Sequence, residues 1–134
     1  MSEPFTICFI DNDEVYQYMF TRSLKAHELT KKISTFPDGE QAISFLKANI
    51  DNKAELPEII FLDINMPIMD GWQFIEEYIK IKPRIGKQVT IYLITSSTDA
   101  ADIEQAKKIG EIYDYLVKPI NPDMLKAILN NLKV

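Results

Sequence analysis

Hydrophobic residues in this chain come in short unbroken runs rather than in alternation with polar ones. Phe5 to Ile10, Ile33 to Phe36, Ile59 to Leu62, Val89 to Ile94 and Tyr113 to Val117 are rich in β-branched or aromatic residues. They predict five strands. Runs without alternation suit strands buried on both faces, as in a parallel sheet covered by helices. The intervening segments must then be helices, and their patterns agree. Met124, Leu125, Ile128, Leu129 and Leu132 draw one apolar stripe at helical spacing. Asn121 is a good N-cap for that helix, and Pro122 suits its first position, where a missing N–H costs nothing. A second helix is expected after Asp38, an N-cap with Gln41 three residues on, carrying Ala42, Ile43, Phe45 and Leu46 inward. Val15, Tyr18, Met19 and Leu24 suggest a helix after the first strand, and Ile103, Ala106 and Ile109 one before the fifth. Trp72 to Ile81 supplies the last, with Pro83 expected to interrupt it.

Strand and helix thus alternate five times. Right-handed crossovers then give an α/β fold, a doubly wound five-stranded parallel sheet with helices on both faces. Ligands of such sheets bind at the carboxyl ends of the strands. Asn49 to Pro57 reads as a long polar connection rather than a domain linker, and no repeats interrupt the pattern. The expectation is one domain over residues 1–134 with no output domain.

Composition narrows the function classes. The 134 residues are 46% hydrophobic, enough for a core, and the formal net charge of -5 argues against a surface that grips nucleic acid. Cys8, the single cysteine, cannot form an internal disulfide and reads as a small core residue. No run is long enough to span a bilayer, and the N-terminus has no signal-peptide pattern, so a cytoplasmic protein without a membrane partner is expected. His27, the only histidine, reads as a polar residue near the end of the first helix.

Four polar residues fall at the carboxyl ends of predicted strands: Asp11, Asp63, Thr95 and Lys118. A doubly wound sheet gathers them around one crevice. Carboxylates packed closely repel, so they either hold a proton or bind a hard divalent cation, for which Mg²⁺ is the natural candidate. A carboxylate there can attack a phosphoryl group while the cation and the lysine neutralise charge on its oxygens.

The stretch Leu62-Asp63-Ile64-Asn65-Met66-Pro67-Ile68-Met69-Asp70-Gly71 resembles the phosphoacceptor segment of response regulator receiver domains, in its single-domain, chemotaxis-regulator-like form. Asp11 to Asp13 after the first strand, Thr95 after the fourth and Lys118-Pro119 after the fifth match in order, so the resemblance covers the whole chain. It implies a flavodoxin-like receiver fold in two-component signalling rather than an enzyme. It also implies that Asp63 takes a phosphoryl group from the phosphohistidine of a histidine kinase or histidine phosphotransfer protein. Mg²⁺ would be held by Asp11, Asn12, Asp63 and the backbone carbonyl of Asn65. Lys118 would pair with the phosphoryl group, and Thr95 and Tyr115 would move together as the switch. The fourth helix, fifth strand and fifth helix would form the output face, with dimerisation or an unnamed protein partner. The family also often makes the bond corresponding to Lys118-Pro119 cis. The departure is Asn12, where the family usually carries a second acidic residue: it offers a carbonyl oxygen but no charge.

Two further readings stay open. A degenerate receiver would bind proteins without phosphorylation. Asp11-Asn12-Asp13 also resembles the first motif of haloacid-dehalogenase-like phosphatases, with Asp11 as nucleophile and Asp13 as general acid, although that leaves Asp63 to Gly71 without a purpose. Flavin binding is disfavoured because Asp11 to Glu14 would repel a phosphate after the first strand.

Overall fold

A computed structural model describes residues 5–28, 30–95, 100–118 and 120–132. Strands and helices alternate as β1 (Phe5–Ile10), α1 (Glu14–Ala26), β2 (Thr30–Phe36), α2 (Gly39–Ala48), β3 (Ile59–Asp63), α3 (Gly71–Ile85), β4 (Thr90–Thr95), α4 (Ala100–Lys108), β5 (Ile112–Val117) and α5 (Pro122–Leu132). All strands pair in parallel, in the order β2-β1-β3-β4-β5. The sequence order reverses at β1, which places a switch point between β1 and β3.

The two-residue period of a strand divides the core. Ile7, Phe9, Ile59, Phe61, Tyr92 and Ile94 pack with Phe20 and Leu24 of α1 and Leu125 and Leu129 of α5. Cys8, Ile10, Ile60, Leu62, Ile91 and Leu93 pack on the other face with α2, α3 and Ala106 of α4. Only β1, β3 and β4 are buried nearly throughout; β2 and β5, at the edges, alternate with exposed positions. The expectation of continuous burial therefore fails at the edges, which helices cover only in part. It also explains why β2 begins earlier than expected, with Thr30, Lys31 and Lys32: charged residues suit an edge strand that must not recruit another chain.

Capping fixes the helix starts. The side chains of Asp13, Asp38 and Asp70 accept hydrogen bonds from the amides of Tyr16, Gln41 and Gln73, and Asn121 Oδ1 accepts from Met124 N–H. Among the described residues, only the Asp70–Gln73 pair closes a full capping box.

Two helices depart from their sequence patterns. In α1, Val15, Tyr18 and Met19 are exposed, and the buried positions are Phe20 and Leu24. α3 runs through Pro83 to Ile85, past the expected end at Ile81 and the expected interruption at Pro83. Buried Ile81 and Ile85 anchor that last turn, Lys53 Nζ donates to the carbonyls of Arg84 and Ile85, and Gly86 ends the helix at φ 60°. Lys87 Nζ donates in turn to the carbonyls of Lys53 and Leu56, so the long 49–57 connection is tied down by two lysines. His27 is the exposed C-cap residue of α1, and Cys8 is buried with its thiol pKa raised by burial. No helix among the described residues is long and apolar enough to cross a membrane.

Candidate functional site

Strand register brings the acidic pair together. Ile10 pairs with Leu62 across β1 and β3, so Asp11 and Asp63 stand side by side one step beyond. Each continues the face of its strand, Ile7–Phe9–Asp11 and Ile59–Phe61–Asp63, so both carboxylates emerge on the same side. Asp11 is 1% and Asp63 7% exposed. The β1 end is held rigid, because Asp11 N–H donates to Phe36 carbonyl and the Gln17 amide donates to the carbonyls of both Asp11 and Phe36.

Lys118, just past β5, closes the crevice. Its backbone N–H donates to the Thr95 carbonyl, and its ammonium lies 2.6 Å from Asp11 Oδ2 and 3.5 Å from Asp63 Oδ2. Two buried carboxylates thus face one ammonium, leaving an excess negative charge. Burial, reinforced by the neighbouring Asp11 charge, pushes Asp63 up to about 6 against the opposing pull of Lys118. Burial works to lower Lys118, but its hydrogen bond to Asp11 and the charges of Asp63 and Asp11 outweigh it and raise the pKa. Tyr16 joins the site from α1. Its ring lies under the Lys118 ammonium, 4.6 Å from centroid to Nζ, and its hydroxyl accepts from Ile120 N–H.

The loop after Asp63 is pressed against the helix it leads into. A Cβ on Gly71 would lie 2.6 Å from the Asp63 carbonyl oxygen, and Gly71 N–H donates to the Ile64 carbonyl. Within that loop exposed Ile68 adopts φ 67°, a strained conformation for a β-branched residue.

The expected residues divide into several groups. Asp11, Asp63 and Lys118 meet directly, and Thr95 is wholly buried at the adjoining strand end, where its carbonyl holds Lys118. Asn12 and Asn65 are exposed on the loops after β1 and β3. Tyr115 lies farther along β5, half-buried, and lines a cleft with Ile103 and Ala106 of α4. Asp13 is exposed, and its carboxylate accepts from Tyr16 N–H as the N-cap of α1. Pro119, whose bond to Lys118 is expected to be cis, lies outside the described residues. Tyr16 was not singled out by the sequence pattern.

Mg²⁺ suits this donor set. Among the described residues no group of three or more His, Cys, Asp or Glu side chains is arranged to hold a metal. Mg²⁺ needs no such cage, since it is commonly bound by one or two carboxylates, waters and phosphoryl oxygens. Asp11 Oδ2 is buried and makes no hydrogen bond beyond its ion pair with Lys118, which leaves it acceptor capacity.

Comparison with known proteins points the same way. A family model for the response regulator receiver domain matches residues 7–130. The probable methanogenesis regulatory protein FilR2 of Methanothrix harundinacea is 24% identical over 98% of this chain and 83% of its own length. The hybrid signal transduction histidine kinase I of Dictyostelium discoideum is 33% identical over 76% of this chain, which spans only 6% of that protein. Among solved structures, a response regulator receiver protein from Dyadobacter fermentans is 26% identical, with a TM-score of 0.80 over 94% of this chain and 95% of its own. The CheX-CheY-BeF3-Mg²⁺ complex from Borrelia burgdorferi shares the fold, at 21% identity and a TM-score of 0.80 over 98% of this chain and 91% of its own. With the strand order, the paired carboxylates and a match along nearly its whole length, the chain belongs to the response regulator receiver domain family of two-component signalling.

Proposed function

We propose that this receiver accepts a phosphoryl group on Asp63 from the phosphohistidine of a histidine kinase or histidine phosphotransfer protein, and signals through a changed protein-binding face. The observation that carries the reading is the buried Asp11–Asp63 pair facing a single ammonium. An Asp63 carboxylate oxygen attacks phosphorus as the P–N bond to imidazole breaks, leaving its electron pair on the histidine nitrogen, which then takes a proton. Lys118, already 3.5 Å from Asp63, pairs with charge on the phosphoryl oxygens. Asp11, Asp63, the Asn65 backbone carbonyl and the Asn12 side-chain oxygen would hold Mg²⁺, which when bound neutralises charge on the carboxylates and the phosphoryl group.

The output is assigned to Thr95 and Tyr115. Thr95 would turn its hydroxyl to a phosphoryl oxygen, and Tyr115 would pack further inward against α4, altering the face of α4, β5 and α5 where a protein partner or a second copy docks. Acetyl phosphate with Mg²⁺ should therefore shift the Tyr115 ring resonances of the wild type. Lys118→Ala and Thr95→Ala should weaken that response more than they weaken phosphorylation itself. Equal Tyr115 shifts in all three proteins would overturn this division of roles. A wild type that takes no phosphoryl group would leave a receiver that binds partners without phosphorylation.

A further inference from the structure

Tyr16 makes two contacts that reach beyond α1 to the end of β5 and the residues after it. Its ring is lodged against Phe9 and Phe20, at centroid distances of 5.9 and 6.2 Å, which fixes the plane it offers to the Lys118 ammonium. Its hydroxyl accepts a hydrogen bond of 3.2 Å from Ile120 N–H, 104 residues away in the loop that follows Lys118. One side chain therefore grips both Lys118 and Ile120. Lys118 has four rotatable side-chain bonds, and both partners of its ammonium are carboxylates on neighbouring strands. Nothing in that pair alone fixes where along the crevice the ammonium stands. An aromatic face does so, because attraction to the ring quadrupole adds a third direction without adding charge.

We infer that Tyr16 is a positioning residue of the phosphoryl site, whose ring holds the Lys118 ammonium between Asp11 and Asp63 and whose hydroxyl ties the loop after Lys118 to α1. This rests on the phosphoacceptor reading of Asp63. The two contacts serve different ends. The ring keeps the lysine charge where phosphoryl oxygens arrive, and the hydroxyl lets a displacement of Lys118 be felt at the start of α5. Phe at this position keeps the first and loses the second; Leu loses both while keeping an apolar side chain against Phe9 and Phe20.

The test is a double-mutant cycle on the intact protein with acetyl phosphate and Mg²⁺, read by intact mass, together with NMR. Tyr16→Leu should slow phosphorylation at sub-saturating phosphodonor about tenfold, and Tyr16→Phe should restore it to within about twofold. In a Lys118→Ala background Tyr16→Leu should add almost nothing, since the ring then has no ammonium to place. Lys118 Hε resonances, shielded by the ring face, should move downfield in Tyr16→Leu and stay in Tyr16→Phe. The Ile120 amide should exchange roughly fivefold faster in both variants. Additive effects of Tyr16→Leu and Lys118→Ala, or a Phe variant as slow as the Leu variant, would overturn the assignment. If the wild type takes no phosphoryl group, the phosphoacceptor reading fails by itself. Tyr16 is then judged by the Lys118 and Ile120 resonances, and unchanged resonances in Tyr16→Leu would refute its grip.

Discussion

Replacing Asp63 with Asn makes permanent the neutral form that burial already favours, and the consequence for stability has a definite size and pH window. In the folded protein the Asp63 pKa rises from 3.8 to about 6, chiefly through burial and secondarily through the charge of Asp11, a change worth roughly 3 kcal/mol. Below about pH 4 the carboxyl is protonated in both folded and unfolded chains and costs nothing. Between about pH 4 and 6 the unfolded chain ionises first, so folding stability falls as pH rises, and the full penalty is present above about pH 6. An Asn side chain escapes it. In chelator at about pH 7.5, Asp63→Asn should therefore exceed the wild type by roughly 2–3 kcal/mol, or about 8–12 °C in Tm for a domain of this size. At about pH 4 the two should coincide. Added Mg²⁺ should narrow the gap from the wild-type side, by about 2.7 kcal/mol when its concentration is about 100 times Kd. Urea titrations at several pH values measure all of this. A gap that does not change with pH, or an Asn variant that is less stable throughout, would show that the charged form of Asp63 is not disfavoured in the fold.

Three further substitutions probe the loops around the pocket. Asn12→Asp should bind Mg²⁺ about tenfold more tightly, measured by titration of Trp72 fluorescence; equal affinities would place position 12 outside the metal site. Gly71→Ala should cost roughly 2–3 kcal/mol in urea unfolding, because its Cβ meets backbone rather than a movable side chain, 2.6 Å from the Asp63 carbonyl oxygen and 2.9 Å from Ile64 Cα. Ile68→Asn should raise stability by about 1 kcal/mol, since Ile68 is 73% exposed and held at φ 67°, where Asn is better tolerated; a loss would mean that the Ile side chain makes contacts worth more than the strain.

The sheet and most of the site could be read in the sequence because both follow from period-two geometry. Runs such as Ile59 to Leu62 admit burial on both faces, and the residue that ends each run must emerge at the carboxyl edge. That placed Asp11, Asp63, Thr95 and Lys118 together with no knowledge of tertiary contacts. Edge strands were less legible: Thr30 to Lys32 carry no apolar signal because one side of β2 has no neighbour. Helix ends at Pro83 were misread because a lost backbone hydrogen bond is offset by burial of Ile81 and Ile85 and by the ammonium of Lys53, a residue 30 positions earlier in the chain. The orientation of α1 was hidden too. Val15, Tyr18, Met19 and Leu24 mark the helix, yet of these only Leu24 is buried, beside Phe20, and only the sheet decides which face it covers. The Tyr16 side chain left no local signal, since its contacts with Lys118 and Ile120 lie more than 100 residues away.

The central claim is that Asp63 is the phosphoacceptor, and intact mass tests it most directly. Wild-type protein incubated with acetyl phosphate and Mg²⁺ should gain the mass of one phosphoryl group and lose it on treatment with hydroxylamine, as an acyl phosphate does. Asp63→Asn, which should fold at least as well, should gain none. A phosphoryl mass that persists in Asp63→Asn and resists hydroxylamine would contradict the account.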